Sequence, residues 1–134
     1  MTPTAYLVDT DILVDVSRGD QHAIDYIDGL QDAWSFSAVT ALELIVGAKN
    51  NREVGQIDQL LAAYGTIPLT ENIGRRAYDL LKRYAKSHGL RTFDSLIAAT
   101  AIEEQRTLST VNRKHFAMIE ELKLDVLINQ TRDR

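Results

Sequence analysis

The order in which short apolar segments and helical segments follow one another constrains the fold of this chain most strongly. Short apolar runs of strand length alternate with longer runs whose apolar residues recur with the period of a helix. The predicted strands cover residues 5–8, 33–39, 66–69, 107–110 and 124–128. Strands separated by helices are typical of a parallel sheet sandwiched by helices. We therefore expect an α/β fold of three layers, α/β/α, around a central parallel sheet of four to five strands.

The predicted helices lie between these strands. The clearest covers residues 71–88, because its apolar residues fall on one face and Gly89 is a natural C-terminal stop. Further helices are predicted over residues 12–16, 24–30, 40–49, 57–64, 93–104 and 113–120. Ligands of such folds bind beyond the carboxyl ends of the strands.

The composition narrows the class of protein. At 134 residues, 45% of them hydrophobic, the chain suits one domain over residues 1–128, with a disordered tail at 129–134. It contains no cysteine, which excludes disulfides and cysteine-based zinc sites. No apolar stretch is long enough to span a membrane and no secretory signal is recognisable, so we expect a cytoplasmic protein. The net charge of −4 disfavours bulk attraction to nucleic acid, so RNA would need a local basic patch.

Three acids stand where the predicted strands and helices meet. Asp9 follows the first strand, Glu43 lies in the segment after the second, and Asp94 begins a buried helix. Each also has a purely structural interpretation. Asp9 can cap the helix that follows it, Thr40 and Glu43 match a capping box, and Thr92 can cap the helix that contains Asp94.

As a set, these acids indicate a metal site. Two carboxylates about 4 Å apart repel by roughly 4 kcal/mol at an effective dielectric near 20, so a cation or a proton must compensate them. Oxygen-only ligands favour Mg²⁺ or Mn²⁺. Such an ion keeps water molecules, one of which can attack a phosphodiester.

Four sequence blocks resemble the PIN-domain ribonucleases, and more narrowly the VapC-type toxins of type II toxin–antitoxin pairs. The blocks read LVDTDIL at residues 7–13, SAVTALEL at 37–44, TFDSLIA at 92–98 and LSTVNRKHF at 108–116, and Gly47 also matches. They occur in the family's order and span almost the whole chain. The resemblance implies a PIN-like fold and a Mg²⁺- or Mn²⁺-dependent endoribonuclease. It also implies a homodimer neutralised by a cognate VapB-type antitoxin.

The resemblance also assigns roles to residues. It places metal-binding and catalytic roles on Asp9, Glu43 and Asp94. It implies that Thr10 orients a ligand or binds phosphate. The supporting residues expected around these acids are Thr10, Asp11, Thr110 and Asn112.

The chain departs from the family pattern near residue 112. Many relatives have a fourth acid where this chain has Asn112, and some have Asp where His115 stands. Asp11 would supply the missing charge. The resemblance therefore does not imply a firmly held second metal, and we expect His115 to be a polar surface residue or to support the site rather than to act as a general base.

Basic residues offer two possible RNA-binding regions. Arg113 and Lys114 lie closest in sequence to the predicted site and are the preferred RNA contacts. A longer basic run is either a solvated helix face or part of the RNA path. It comprises Arg75, Arg76, Lys82, Arg83, Lys86 and Arg91.

Two other functions compete with the nuclease. A non-catalytic module of the same fold would bind RNA or protein without cutting. A haloacid-dehalogenase-like phosphatase would use Asp9 and Asp11 as nucleophile and acid, but that motif expects Thr or Val where Leu13 stands and leaves Glu43 without a role.

Overall fold

The structure, a computed structural model, describes residues 4–128. Its strands are Tyr6–Val8 (β1), Trp34–Ser37 (β2), Thr66–Ile67 (β3), Thr107–Thr110 (β4) and Leu124–Val126 (β5). Its helices are Thr10–Ser17 (α1), Gln21–Leu30 (α2), Ala38–Val46 (α3), Asn51–Ala62 (α4), Glu71–His88 (α5), Thr92–Glu103 (α6) and Arg113–Phe116 (α7). All strand pairs are parallel, and the strand order is β3-β2-β1-β4-β5. The predicted α/β class and parallel sheet are confirmed, with five strands.

Strand β1 lies at the centre of the sheet, where the strand order reverses. From β1 the sheet extends to β2 and β3 on one side and to β4 and β5 on the other. Leu7 pairs with Ser35 of β2, and Val8 pairs with Ser109 of β4. The residues that follow these three strands therefore meet at one edge of the sheet. In open parallel sheets, this reversal point is where ligands bind.

Helices cover both faces of the sheet, and each face has its own apolar core. Successive side chains of a strand point to opposite faces. Leu7 accordingly belongs to the core that includes α5 and α6, and Val8 to the core that includes α1, α2 and α4. Both residues are fully buried, so the predicted buried first strand is confirmed.

Several predicted boundaries are wrong by a few residues. Helix α3 begins at Ala38 rather than at residue 40, because Ser37 caps it: the Ser37 hydroxyl accepts from the Val39 N–H at 3.0 Å. The capping box from Thr40 is therefore wrong. The Thr92 cap is also wrong, since Arg91 holds the cap position of α6 without a side-chain hydrogen bond.

The bounds of α4 are also wrong, since this helix runs from Asn51 to Ala62 rather than over residues 57–64. Helix α5 and strand β4 have the predicted bounds, and Gly89 ends α5 in the left-handed conformation at φ 73°. The segments predicted over residues 66–69, 113–120 and 124–128 are shorter in the structure. Across residues 4–128 no helix is long and apolar enough to cross a membrane. The predicted tail at 129–134 lies outside the described residues.

The Ser37 cap can be tested by substitution. Ser37→Ala leaves an N–H of α3 without its acceptor, and we expect it to lower the free energy of unfolding by about 1 kcal/mol. Urea titration measures the change. Ser35→Ala is the matched control, because the Ser35 hydroxyl in the same strand makes no hydrogen bond with residues 4–128. Equal midpoints for the two variants would contradict the assignment.

Candidate active site

Asp9 occupies the centre of the site. It lies between β1 and α1, is only 5% exposed, and caps α1 by accepting from the Thr10 N–H at 2.8 Å through Oδ1. Its Oδ2 accepts from the Thr110 hydroxyl at 2.7 Å. The structural interpretation of Asp9 as a helix cap is thus confirmed. The side chain nevertheless remains a buried acid with only neutral donors.

Burial changes the chemistry of Asp9. The pKa of Asp9 is raised from 3.8 to about 7, chiefly by removal from water; the hydrogen bonds from Thr110 and Thr10 oppose this rise, and the negative charges of Asp11 and Asp94 add to it. None of the ion pairs among residues 4–128 involves Asp9. A buried carboxylate without a counter-ion is stabilised by a proton or by a cation.

Glu43 reaches the site through Thr10. The Thr10 hydroxyl donates to Glu43 Oε1 at 2.7 Å and lies 2.9 Å from the Thr40 hydroxyl. Because Thr10 has one hydroxyl proton, which it gives to Glu43, the fully buried Thr40 must be the donor of the second bond. This chain of two hydroxyls fixes Glu43 Oε1 relative to α1.

Asp94 has basic side chains as partners instead. It lies in the first turn of α6, and its side chain is 17% exposed. Its Oδ2 is 3.5 Å from Nε of Arg91 and 3.4 Å from Nδ1 of His115. Its Oδ1 makes no hydrogen bond with any residue of the described chain.

Asp11 is joined to the end of β4. The Asn112 amide donates to Asp11 Oδ2, and the Asn112 backbone N–H donates to the Thr110 hydroxyl at 3.0 Å. Thr110 in turn donates to Asp9. Asn112 therefore links two of the acids, and its supporting role in the site stays a prediction.

The predicted site residues converge in two groups. The charges of Asp11 and Asp94 act on the carboxylate of Asp9. Glu43 is connected to this group by its hydrogen bond with Thr10 and not by another acid. As the side chains stand, no three His, Asp or Glu residues within 4–128 are grouped closely enough to hold a metal ion. Shared ligation of one ion by Asp9, Glu43 and Asp94 therefore stays a prediction. The donor set still fits Mg²⁺ or Mn²⁺, because it consists of oxygens and includes a buried acid without a cation.

Two residues of the site were not predicted in their observed roles. Thr40 was interpreted as a helix cap, although its spacing of three residues from Glu43 places both on one helix face. Arg91 was grouped with the basic run, and no sequence signal connects it with Asp94 except the same spacing of three.

Comparison with known proteins agrees with this arrangement. The sequence profile of the PIN domain family matches residues 6–122, so the chain belongs to the PIN domain family. It is 40% identical over 120 residues to Ribonuclease VapC10 of Mycobacterium tuberculosis, an alignment that covers 87% of this chain and 90% of that protein.

Solved structures share the fold. A toxin–antitoxin complex from Klebsiella pneumoniae superposes with a TM-score of 0.77 at 28% identity, over 88% of this chain and 95% of that one. VapBC2 from Rickettsia felis, bound to a DNA fragment from its promoter, superposes with a TM-score of 0.81 at 23% identity, over 92% of this chain and 99% of that one.

The pKa of Asp9 predicts how stability depends on pH in the absence of metal. The folded protein binds a proton on the Asp9 carboxyl more tightly than the unfolded chain does. The bound proton therefore stabilises the fold fully below pH 3.8, and this stabilisation is lost as the pH rises through about 7. In EDTA, wild type should therefore lose stability relative to Asp9→Asn across this window, by roughly 1 kcal/mol per pH unit.

Urea unfolding at several pH values measures the difference. Asp58→Asn, which removes an exposed acid of α4, controls for the loss of one charge. Parallel profiles for wild type and Asp9→Asn would contradict the assignment.

Proposed function

We propose that this chain is an endoribonuclease that hydrolyses RNA phosphodiester bonds and serves as the toxin of a toxin–antitoxin pair. The observation that carries the proposal is Asp9, a buried acid without a counter-ion at the reversal point of a parallel sheet, with Asp11 and Asp94 near it. The relative named Ribonuclease VapC10 supports the reaction class.

The proposed cofactor is Mg²⁺, or Mn²⁺. Asp9, Glu43 and Asp94 would hold it, with Asp11 adding negative charge. When bound, the ion stabilises the charge that develops on the phosphate and lowers the pKa of a bound water.

The chain's own residues orient this machinery. The Thr10 N–H and the Thr110 hydroxyl hold the two oxygens of Asp9, and Asn112 holds Asp11. Glu43 Oε1 is held by Thr10, while its Oε2 makes no hydrogen bond with residues 4–128. We assign to Oε2 the role of accepting a proton from the attacking water.

Arg113 and Lys114 are the proposed RNA contacts. Both side chains are exposed on α7, directly after Asn112. Neither takes part in an ion pair with residues 4–128, so both charges are available to phosphate.

The reaction is tested with a labelled single-stranded RNA in Mg²⁺, Mn²⁺ and EDTA. Asp9→Asn, Glu43→Gln and Asp94→Asn should each slow cleavage by at least roughly a hundredfold, because each removes about 3 kcal/mol of transition-state stabilisation. Asp58→Asn is the control and should cleave like wild type.

Other outcomes identify the competing functions. Cleavage that persists in EDTA would contradict the metal. Tight RNA binding without cleavage would indicate a non-catalytic module, and phosphate release from small phosphoesters alone would indicate a phosphatase.

The hydrogen bonds from Thr40 to Thr10 and from Thr10 to Glu43 predict different effects on kcat for two substitutions of Thr40. Thr40→Val has nearly the same shape but cannot donate to Thr10, so kcat should fall about tenfold while KM for RNA stays unchanged, as for other residues that orient a ligand. Thr40→Ser keeps the donor and should restore most of kcat. Equal kcat values for the two variants would exclude this positioning role.

The proposed partners are a VapB-type antitoxin and a second copy of the chain, both in the cytoplasm. Exposed large apolar side chains support protein partners: Leu42 and Val46, one turn apart on α3, are 64% and 86% exposed, and Phe93, next to Asp94 in sequence, is 57% exposed. Apolar side chains clustered at a surface are typical of interaction sites.

Expression in a bacterial host tests these partners. Wild type should arrest growth, Asp9→Asn should not, and co-expression of a short reading frame directly upstream should relieve the arrest. Light scattering of the purified Asp9→Asn chain should give twice the monomer mass of 15.0 kDa. Arrest by Asp9→Asn equal to that of wild type would contradict toxicity through catalysis, and a monomer mass would contradict the dimer.

A further inference from the structure

The basic residues near the long helix divide into two kinds in the structure. Most cations of α5 pair with acids outside the site. These pairs are Arg75 with Glu71, Arg76 with Glu103, Lys82 with Asp79 and Arg83 with Glu121. Most of these basic residues thus belong to a helix face with salt bridges, which is closer to the solvated helix face than to the RNA path considered from the sequence.

Arg91 differs from these residues because its acid partner is Asp94. Its Nε lies 3.5 Å from Asp94 Oδ2, and one of its terminal nitrogens lies 3.5 Å from Nδ1 of His115. His115 contacts the same Asp94 oxygen at 3.4 Å. Arg91 and His115 therefore form a pair that is anchored on an acid of the site.

The ion pair leaves most of Arg91 available. Its side chain is 69% exposed, and that of His115 is 40% exposed. An ion pair this long and this exposed is weak. A guanidinium carries five N–H donors in a planar fork that matches two phosphate oxygens.

We propose that Arg91 and His115 bind a backbone phosphate of the RNA next to the phosphate that is cut. The proposal rests on the proposed endoribonuclease function. The binding would be independent of sequence, because phosphates carry no base information. Asp94 places the pair beside the acids, so a phosphate bound there would bring the strand next to them.

Charge also favours this assignment. The chain has a net charge of −4, and Asp9, Asp11 and Asp94 would repel an approaching RNA strand. Arg113 and Lys114 lie on the same helix as His115 and extend the positive surface. This basic side would therefore favour the approach of a phosphate to these acids.

The test measures RNA affinity without cleavage. In the Asp9→Asn background, anisotropy of a labelled single-stranded RNA is followed as a function of salt concentration. Arg91→Gln should weaken binding and reduce the slope of log affinity against log salt by about 0.7, the value for one phosphate contact on a single strand. Arg91→Lys should keep the slope and lose part of the affinity, since it retains the charge without the fork.

Arg75→Gln is the matched control, because Arg75 is equally exposed but pairs with Glu71 on α5. It should leave the slope unchanged. If Arg91→Gln also left the slope unchanged and altered the Mn²⁺ affinity measured by calorimetry, the proposal would be overturned. The role of Arg91 would then be to position Asp94.

Failure of the proposed function is a separate result. In that case the wild-type protein would not cut the same RNA in Mg²⁺ or Mn²⁺, whatever the effect of the Arg91 substitutions on RNA binding.

Discussion

The desolvated carboxylate of Asp9 is the constraint on which the site depends. Strand β1 is central in the sheet, and Asp9, which directly follows it, is only 5% exposed. Two neutral donors, the Thr10 N–H and the Thr110 hydroxyl, hold its oxygens without cancelling its charge. Such an acid titrates near neutrality and is best stabilised by a cation.

The other acids have different partners, and these partners distinguish one side of the site from the other. Hydroxyl donors orient Glu43, whose Oε2 makes no hydrogen bond with residues 4–128. Asp94 instead has Arg91 and His115 beside it, both more exposed than the acid itself. The proposed metal would thus lie among the acids, with a cationic approach for the RNA strand on one side. This arrangement would reconcile an acidic chain with the proposed RNA substrate.

Much of the fold could be predicted because it follows from local patterns. Helix α5 ends as predicted since Gly89 takes the left-handed conformation, and β4 has the predicted bounds. The start of α3 was wrong because Ser37 and Thr40 are both good caps, and choosing between them requires the tertiary contact of Thr40 with Thr10. Parallel order was predictable from alternation, whereas the position of β1 at the centre was not.

The sequence by itself determined the class of fold, the positions of the acids at strand and helix ends, and the family blocks, because these depend on periodicity, capping and short motifs. Only the tertiary structure decided how each acid is partnered. Thr110 donates to Asp9 across 101 positions and Thr10 donates to Glu43 across 33, whereas Arg91 pairs locally with Asp94. Side chains so distant in sequence come into contact only when parallel strands bring their carboxyl ends to one edge of the sheet. No local sequence pattern predicts such a contact.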